Sequence, residues 1–374
     1  MENNQPTIQI RKMQTGEEKI VLRIMRRAFP LFMHLFFSKA MVKSAEQVLV
    51  ADVEGNLKAG IVMKTFALPG GGKGGLVEWI FTDPSGRGLG LGARLMNASM
   101  AWFDQAGCDQ IFAIIEGFNT NSSNLFARRG FSILSFQEQI KRFGFPGFFR
   151  VWWQTFHVID LGHFLWGKPA QSGADSPGMQ MVSALLLNMI IALLAGVRNR
   201  GIDAGWATLL ALPLWLLILL GIRNGLMKLS GSMLGLKLRY RLWETGFVIS
   251  FLMMLLGGVI IPIPGSYYPE EDEWHYHQRK PQLGKTALVG SLSAVLISYL
   301  LYLLVRFLEP AGLPGYFLST GLGAAFAFSV IDTLLPIFPV VSYNGQRLWD
   351  WNRWVWGIVA ILVITQGVML FAGV

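Results

Sequence analysis

Cysteine is nearly missing from these 374 residues: Cys108 stands alone, so no internal disulfide can form and nothing points to an oxidising compartment. Charged residues are scarce too, at 15% against 52% hydrophobic, and the mean hydropathy is +0.44. That balance excludes a disordered chain and argues against a wholly water-soluble one. The opening stretch, MENNQPTIQIRKMQTGEEK, lacks the apolar core of a cleavable signal. No basic-aromatic nucleic-acid motif occurs, although Lys and Arg number 32 against 23 Asp and Glu, for a formal +9. Spread over both halves, that excess fits attraction to anionic lipid better than binding to nucleic acid.

What is present is unevenly distributed. Up to residue 180 there are 19 basic and 14 acidic side chains, recurring every few residues as in a soluble domain. Beyond it run long uncharged stretches: Ser176 to Val197, Ala204 to Ile222, Thr245 to Pro269, Thr286 to Val305, Pro310 to Ile331 and Trp354 to Val374. Each is long enough to cross a hydrocarbon core of about 30 Å as a helix. The expected organisation is a domain over residues 1–145, a linker over 146–175 and a six-span membrane domain over 176–374. Phe148 to Trp166, rich in Trp and His, is expected to lie in the membrane interface, with His157 and His163 facing headgroups. The loop with Arg223, Lys228, Lys237, Arg239 and Arg241 is expected in the cytoplasm and the acidic loop Glu270 to Glu273 outside. Six crossings then put both termini, and the soluble domain, on the cytoplasmic side.

In the soluble half, alternation predicts strands at Ile8 to Met13, Val48 to Val53, Ala59 to Thr65, Leu76 to Thr82, Gln110 to Glu116 and Phe131 to Phe136. Helical spacing marks Glu17 to Phe29, Gly92 to Gln105 and Asn121 to Arg129, and Gly55-Asn56 supplies a hairpin turn. The result is a small α+β domain. Its sharpest signal is the glycine-rich passage from Phe81 to Met96, where a strand ending at Pro84 meets a helix. Free backbone amides at such a helix start cradle phosphate oxygens, and a pyrophosphate is the natural occupant. No Gly-Lys-Ser/Thr follows, so this is not a Walker loop.

Arg87-Gly88-Leu89-Gly90-Leu91-Gly92 resembles the cofactor signature of the GNAT superfamily of N-acetyltransferases. Asn119 to Phe131, with Ser122, Phe126 and Gly130-Phe131, is similar to that family's later motif. The resemblance covers about residues 7 to 145 and implies a mixed central sheet with flanking helices. It further implies acetyl-CoA between the fourth and fifth strands, its pyrophosphate on the amides of Arg87 to Gly92 and its thioester near Phe81 and Thr82. Asn119 and Phe126 join the cofactor contacts, and Glu78 and Glu116 are the candidate bases. Many members carry a Tyr where this chain has Phe126, which cannot protonate the departing thiolate. Cys108 reads as a small core hydrophobe.

The membrane half carries a second resemblance. Leu238 to Gly246, Gly258 to Gly265 and Gly284 to Gly290, then Asp332 to Pro336 and Asn344-Gly345, follow one another much as in site-2 proteases, intramembrane zinc peptidases. Their chemistry needs two His one turn apart with a Glu, as ligands and base for zinc. No His-Glu-x-x-His occurs; Arg223-Asn224-Gly225-Leu226-Met227 stands in its place, and Asn344 replaces the later Asp. A degenerate, metal-free relative without peptidase activity is therefore expected. Asp332 interrupts an apolar span, where a carboxylate faces a cavity or a partner, or is hydrated at a helix end. His275-x-His277 beside the acidic residues reads as a solvated loop. Together these features predict a membrane-anchored N-acetyltransferase using acetyl-CoA and no metal, with an amine acceptor the sequence does not identify. The alternative is a non-catalytic acyl-CoA sensor or scaffold.

Overall fold

A computed structural model describes residues 6–29, 47–160, 162–170, 176–271, 273–334 and 342–372. The chain divides into two compact units. One comprises Met1–Ile115, Asn121–His157 and Leu165–Ser172; the other comprises Glu116–Thr120, Val158–Phe164 and Gly173–Val374.

The first part of the chain runs β1 (Ile8–Lys12), α1 (Glu18–Ala28), β2 (Val48–Val53), β3 (Asn56–Ala67), β4 (Lys73–Thr82), α2 (Leu91–Gln105) and β5 (Gln110–Glu116). It continues through α3 (Thr120–Ala127), β6 (Ser132–Ile133), α4 (Phe136–Phe143), α5 (Phe145–Thr155) and β7 (His163–Lys168). One seven-stranded sheet results, in the order β1-β2-β3-β4-β5-β7-β6. β1 to β4 pair antiparallel in sequence, β4 and β5 pair parallel, and β6 and β7 antiparallel. This is the expected mixed sheet with flanking helices. The β2–β3 turn consists of Glu54 and Gly55, both at positive φ, as a two-residue hairpin loop matching strand twist requires.

Helix α1 buries Val21, Ile24 and Met25, spaced i, i+3, i+4, against Val48, Val50, Val62 and Phe81 of the sheet. Each such side chain taken out of water contributes roughly 1.5–3 kcal/mol. Ser135 caps α4 by accepting from the Glu138 amide, and Glu138 pairs with Arg142 at 2.6 Å one turn on. The expected linker contains two ordered elements, α5 and β7. The sequence missed β7 because its Trp and His read as interfacial, whereas His163–Lys168 is a strand with four buried residues. His157 is fully buried, edge-on to Trp152 at 5.4 Å, and does not face headgroups.

The second unit carries α6 (Pro177–Arg200), α7 (Trp206–Met233), β8 (Leu238–Arg241), α8 (Glu244–Gly257), β9 (Ser266–Pro269) and α9 (Tyr276–Leu308). α10 (Gly312–Leu334), α11 (Gly345–Trp351) and α12 (Arg353–Ala372) complete it. Five of these helices, α6, α7, α9, α10 and α12, are long and apolar enough to cross a membrane. α7, α9 and α10 share a core of Trp215, Leu219, Leu301, Tyr302, Leu322 and Ala325. Gln366 of α12 donates to the Ser298 hydroxyl of α9 at 2.6 Å.

The expected span Thr245 to Pro269 takes another form. α8 has 14 residues, about 21 Å at 1.5 Å per residue, and stops at Gly258, whose φ of +67° is the left-handed conformation of a helix C-cap. Pro262 and Pro264 follow, neither able to donate an amide to a continuing helix. The segment instead runs back, with Ile263 exchanging hydrogen bonds with the Asn188 side chain of α6. It ends in β9, which pairs antiparallel with β8, Leu238 opposite Pro269 and Arg241 opposite Ser266. The basic and acidic loops are therefore neighbours across one antiparallel strand pair; Glu270 donates its amide to Lys237 and its carboxylate lies 3.6 Å from Arg239. Asp272 and Leu335-Pro336 lie outside the described residues.

Candidate functional site

The glycine-rich passage is held at its entry and left bare at its exit. Asp83, buried at the end of β4, accepts from the Ser85 amide at 2.9 Å and hydroxyl at 2.6 Å, and pairs with Arg27 at 3.2 Å. The Ser85 hydroxyl foremost, then the Arg27 and Lys58 charges, hold its carboxyl below the ordinary range against the cost of burial. This fixes a one-turn 3-10 helix at Pro84–Gly86. Gly90 then caps α2 from the left-handed region, φ +67°, with no side-chain acceptor for the helix amides. The first helical bond runs from Arg94 to the Gly90 carbonyl at 3.2 Å. The amides of Leu91, Gly92 and Ala93 thus precede any helical acceptor, at the positive end of the dipole. A Cβ on Gly88 or Gly90 would meet nothing within 4 Å, so the turn that leads into these amides is open, while one on Gly92 would touch Leu125 at 3.8 Å. Arg87, Gly88 and Gly90 are exposed, Leu89 and Gly92 half-buried, and Leu91 anchors the helix start in the core.

Beside this start the sheet opens. β4 and β5 pair only from Gly74–Val77 to Gln110–Ala113, although β4 runs on to Thr82 and β5 to Glu116. The cause is a β-bulge: Met63 faces Val77 and Val62 faces Trp79, leaving Glu78 as the extra residue. A bulge bends and twists its strand, and this one falls where the parallel pairing ends. Trp79 to Thr82 stay bonded to β3 alone, turning their other edge to the opening. The Phe81 side chain packs into the core, so its backbone is what this position offers, and Thr82 is half-buried opposite Ala59.

Of the candidate bases, Glu78 pairs with Lys64 at 3.2 Å, a partner the sequence did not suggest. Glu116 belongs to the second unit. Burial raises its pKa, His163 pulling it back and the Asp350 charge adding to the rise. In that unit Asn119 donates its amide to the Glu116 carbonyl, and the Thr120 hydroxyl accepts from the Tyr276 amide at 3.1 Å. Phe118 stacks on Tyr276 with centroids 4.4 Å apart. The Arg347 guanidinium, 1% exposed, lies over both Phe118 and Tyr268, 5.2 and 5.0 Å from the ring centroids. Arg347 escaped the sequence reading because one arginine in an apolar half carries no periodic signal. Phe126 is 2% exposed, edge-on to Phe131 at 5.1 Å. Arg129 ties α3 to α2 through Asn97, the Leu125 carbonyl and the Ala93 carbonyl. Cys108 is half-buried rather than part of the core, and burial raises its pKa.

The residues standing where zinc ligands would fall do converge. Arg223 and Asp332, both fully buried, pair at 2.9 Å. Arg223 also donates to the Asn224 side chain and the Gly265 and Ser342 carbonyls. Asp332 accepts from Ser291 at 3.2 Å and from the Asn344 amide group at 2.9 Å, which lies 3.7 Å from the Met227 sulfur. The Arg223 guanidinium thus neutralises the buried Asp332 carboxylate. The buried Asp332 faces a protein partner, so the hydrated-end reading is set aside. Among the described residues no group of three His, Cys, Asp or Glu is placed to hold a metal ion; His275 and His277 are both exposed.

The site is thus a mixed sheet that opens at a bulge beside a helix start with unpaired amides. Residues 19–131 match the acetyltransferase (GNAT) family, and the N-terminal part of the chain is a GNAT acetyltransferase domain. A protein of Methanocaldococcus jannaschii with the provisional name zinc metalloprotease is 25% identical over 132 residues, 35% of this chain. The match spans 64% of that relative's length. Among solved structures, N-acetylglutamate synthase from Neisseria gonorrhoeae, complexed with coenzyme A and N-acetyl-glutamate, is 19% identical. It covers 44% of this chain and 35% of its own, with a TM-score of 0.34. The ribosomal-protein-S18-alanine N-acetyltransferase of Escherichia coli is 18% identical, covering 34% and 79%, with a TM-score of 0.28.

Proposed function

We propose that this protein is a membrane-anchored N-acetyltransferase that takes acetyl-CoA as its acyl donor. The observation that carries the reading is the set of uncapped α2 amides beside the bulge-opened strand pair. These fit a coenzyme diphosphate: the amides precede any helical acceptor, and the turn into them is open at Gly88 and Gly90. The amine nitrogen attacks the thioester carbonyl, the C–N bond forms, the C–S bond breaks with its electrons on sulfur, and the ammonium proton passes to a base. Holding donor and amine together supplies much of the rate, and a base adds to it. Glu78, engaged by Lys64, and Glu116, whose proton affinity burial raises, are the two candidate bases. Phe126 donates no proton, so thiolate protonation falls to water. Calorimetry of the purified protein with acetyl-CoA should give one saturable site, and thiol release with an amine panel should report transfer. Absence of binding by the folded protein would sink the reading.

The second reading, an acyl-CoA sensor or scaffold, draws on Phe126 and on the closed Arg223–Asp332 pair. It predicts binding without thiol release for every amine tried. The closed pair also supports a bundle without peptidase activity. Chain connectivity supports a cytoplasmic soluble domain. α6 starts, and α7 ends, at the β8–β9 end of the bundle, which carries Lys228, Lys237, Arg239, Arg241, Arg279 and Lys280, whereas Arg198, Arg200 and Arg306 mark the other end.

A further inference from the structure

Helix α5 is apolar on two sides. Phe148, Val151, Trp152 and Thr155 are buried in the first unit, and the Trp152 indole donates to the Gln139 side chain at 2.6 Å, seating the helix on α4. The neighbouring face is aromatic as well, with Phe149 against the buried Phe148 and Trp152 rings. Phe145, Phe149 and Trp153, at i, i+4 and i+8, are 68%, 43% and 72% exposed, and the C-cap Phe156 is 59% exposed. At 100° per residue these four fall within about 80° of arc. Among the described residues up to 170, the only other large apolar side chain so exposed is Ile20. Scattered apolar residues need no explanation, but a contiguous aromatic stripe marks an interaction surface.

We infer that this face docks on the bilayer surface, with the aromatic side chains at headgroup depth and α5 lying in the plane of the interface. Three observations select lipid as the occupant. The stripe is Phe and Trp, side chains that favour the membrane–water boundary. A cation accompanies it: Arg150 is exposed on the same helix, complementary to anionic headgroups, while Lys64, paired with Glu78, lies 4.8 Å from the Phe156 centroid. The same chain enters its first membrane-length helix at Pro177, so a bilayer is always within tether range. The inference rests on the multi-pass reading above and adds to it a peripheral contact that the spans alone do not require.

The test uses the full-length protein in vesicles of phosphatidylcholine and phosphatidylglycerol, with Cys108→Ala as background. Single cysteines replace Phe149, Trp153, Gln105 on exposed α2 surface, or Ile361 on the outer face of α12, and each carries a polarity-sensitive dye. Brominated acyl chains should quench the dye at 149 and 153 at least twofold, quench it at 361 and leave it bright at 105. Quenching at 361 with 149 and 153 as bright as 105 would overturn the inference alone. A blue-shifted but unquenched dye at 149 and 153 would also overturn it, by showing protein rather than lipid over the stripe. No quenching at 361 would remove the multi-pass reading and the inference with it.

Discussion

Gly90 concentrates the binding argument in one torsion. Its φ of +67° lets the chain enter α2 with three amides unspent. A β-branched residue there costs about 1–2 kcal/mol or forces the turn to another conformation. Gly90→Val should therefore weaken acetyl-CoA binding tenfold or more in calorimetry, with the cooperative melt retained; unchanged affinity would show that the amides are not the grip. Glu116 offers a second test through pH. Its pKa is raised in the folded state, so folded protein holds the proton more tightly than unfolded chain. Its contribution to stability is then most favourable below the ordinary carboxylate pKa and declines as pH rises through the raised value. Glu116→Gln should abolish that decline in melting temperature. If Glu116 is the base, the variant should also lose about a hundredfold in kcat together with the acidic limb of the pH–rate profile.

At the scale of elements, legibility tracked periodicity and glycine. β1 to β5, α1, α2 and the glycine-rich start of α2 were readable because alternation, helical spacing and the glycine run each have a local cause. The Glu78 bulge was not, since an extra residue in a strand depends on the register of its partner, which only the β3–β4 pairing reveals. β7 was masked by its aromatic content, and α8 by an apolar composition that mimics a span while Gly258 and the prolines end it early. The clustering of Arg223, Asn224, Met227 and Asn344 could be suspected from spacing, but the Arg223–Asp332 pair between α7 and α10 could not. Fully buried, that pair ties two helices and leaves a costly orphan if halved. Asp332→Asn should destabilise by about 3–5 kcal/mol, whereas Arg223→Met with Asp332→Leu should recover most of the loss. Thermal melts in detergent would decide; equal damage from both variants would mean the pair's surrounding hydrogen bonds matter more than its charges.

For the whole molecule, the β8–β9 strand pair changes the topology that hydropathy alone predicts. Six crossings put the basic loop and the acidic loop on opposite sides, yet Leu238 faces Pro269 across the strand pair and the Glu270 amide donates to the Lys237 carbonyl. α8 at about 21 Å is also too short for a core of about 30 Å. The topology expected from this geometry has α8 entering and returning on one side, with crossings by α6, α7, α9, α10 and α12 and the N-terminal and C-terminal parts on opposite faces. The expected result is specific to position. With Cys108 replaced by Ala, a cysteine at Asp203, between α6 and α7, should react with a membrane-impermeant maleimide in intact cells. Cysteines at Lys237 and Glu271 should react only after permeabilisation, and both to the same extent. Opposite behaviour of positions 237 and 271 would make α8 a true span and restore six crossings. Reaction of both in intact cells, with 203 protected, would keep the re-entrant hairpin but turn the acetyltransferase domain away from the cytoplasm. Cytoplasmic acetyl-CoA would then be out of its reach, and the acyl donor would have to come from the other side of the membrane.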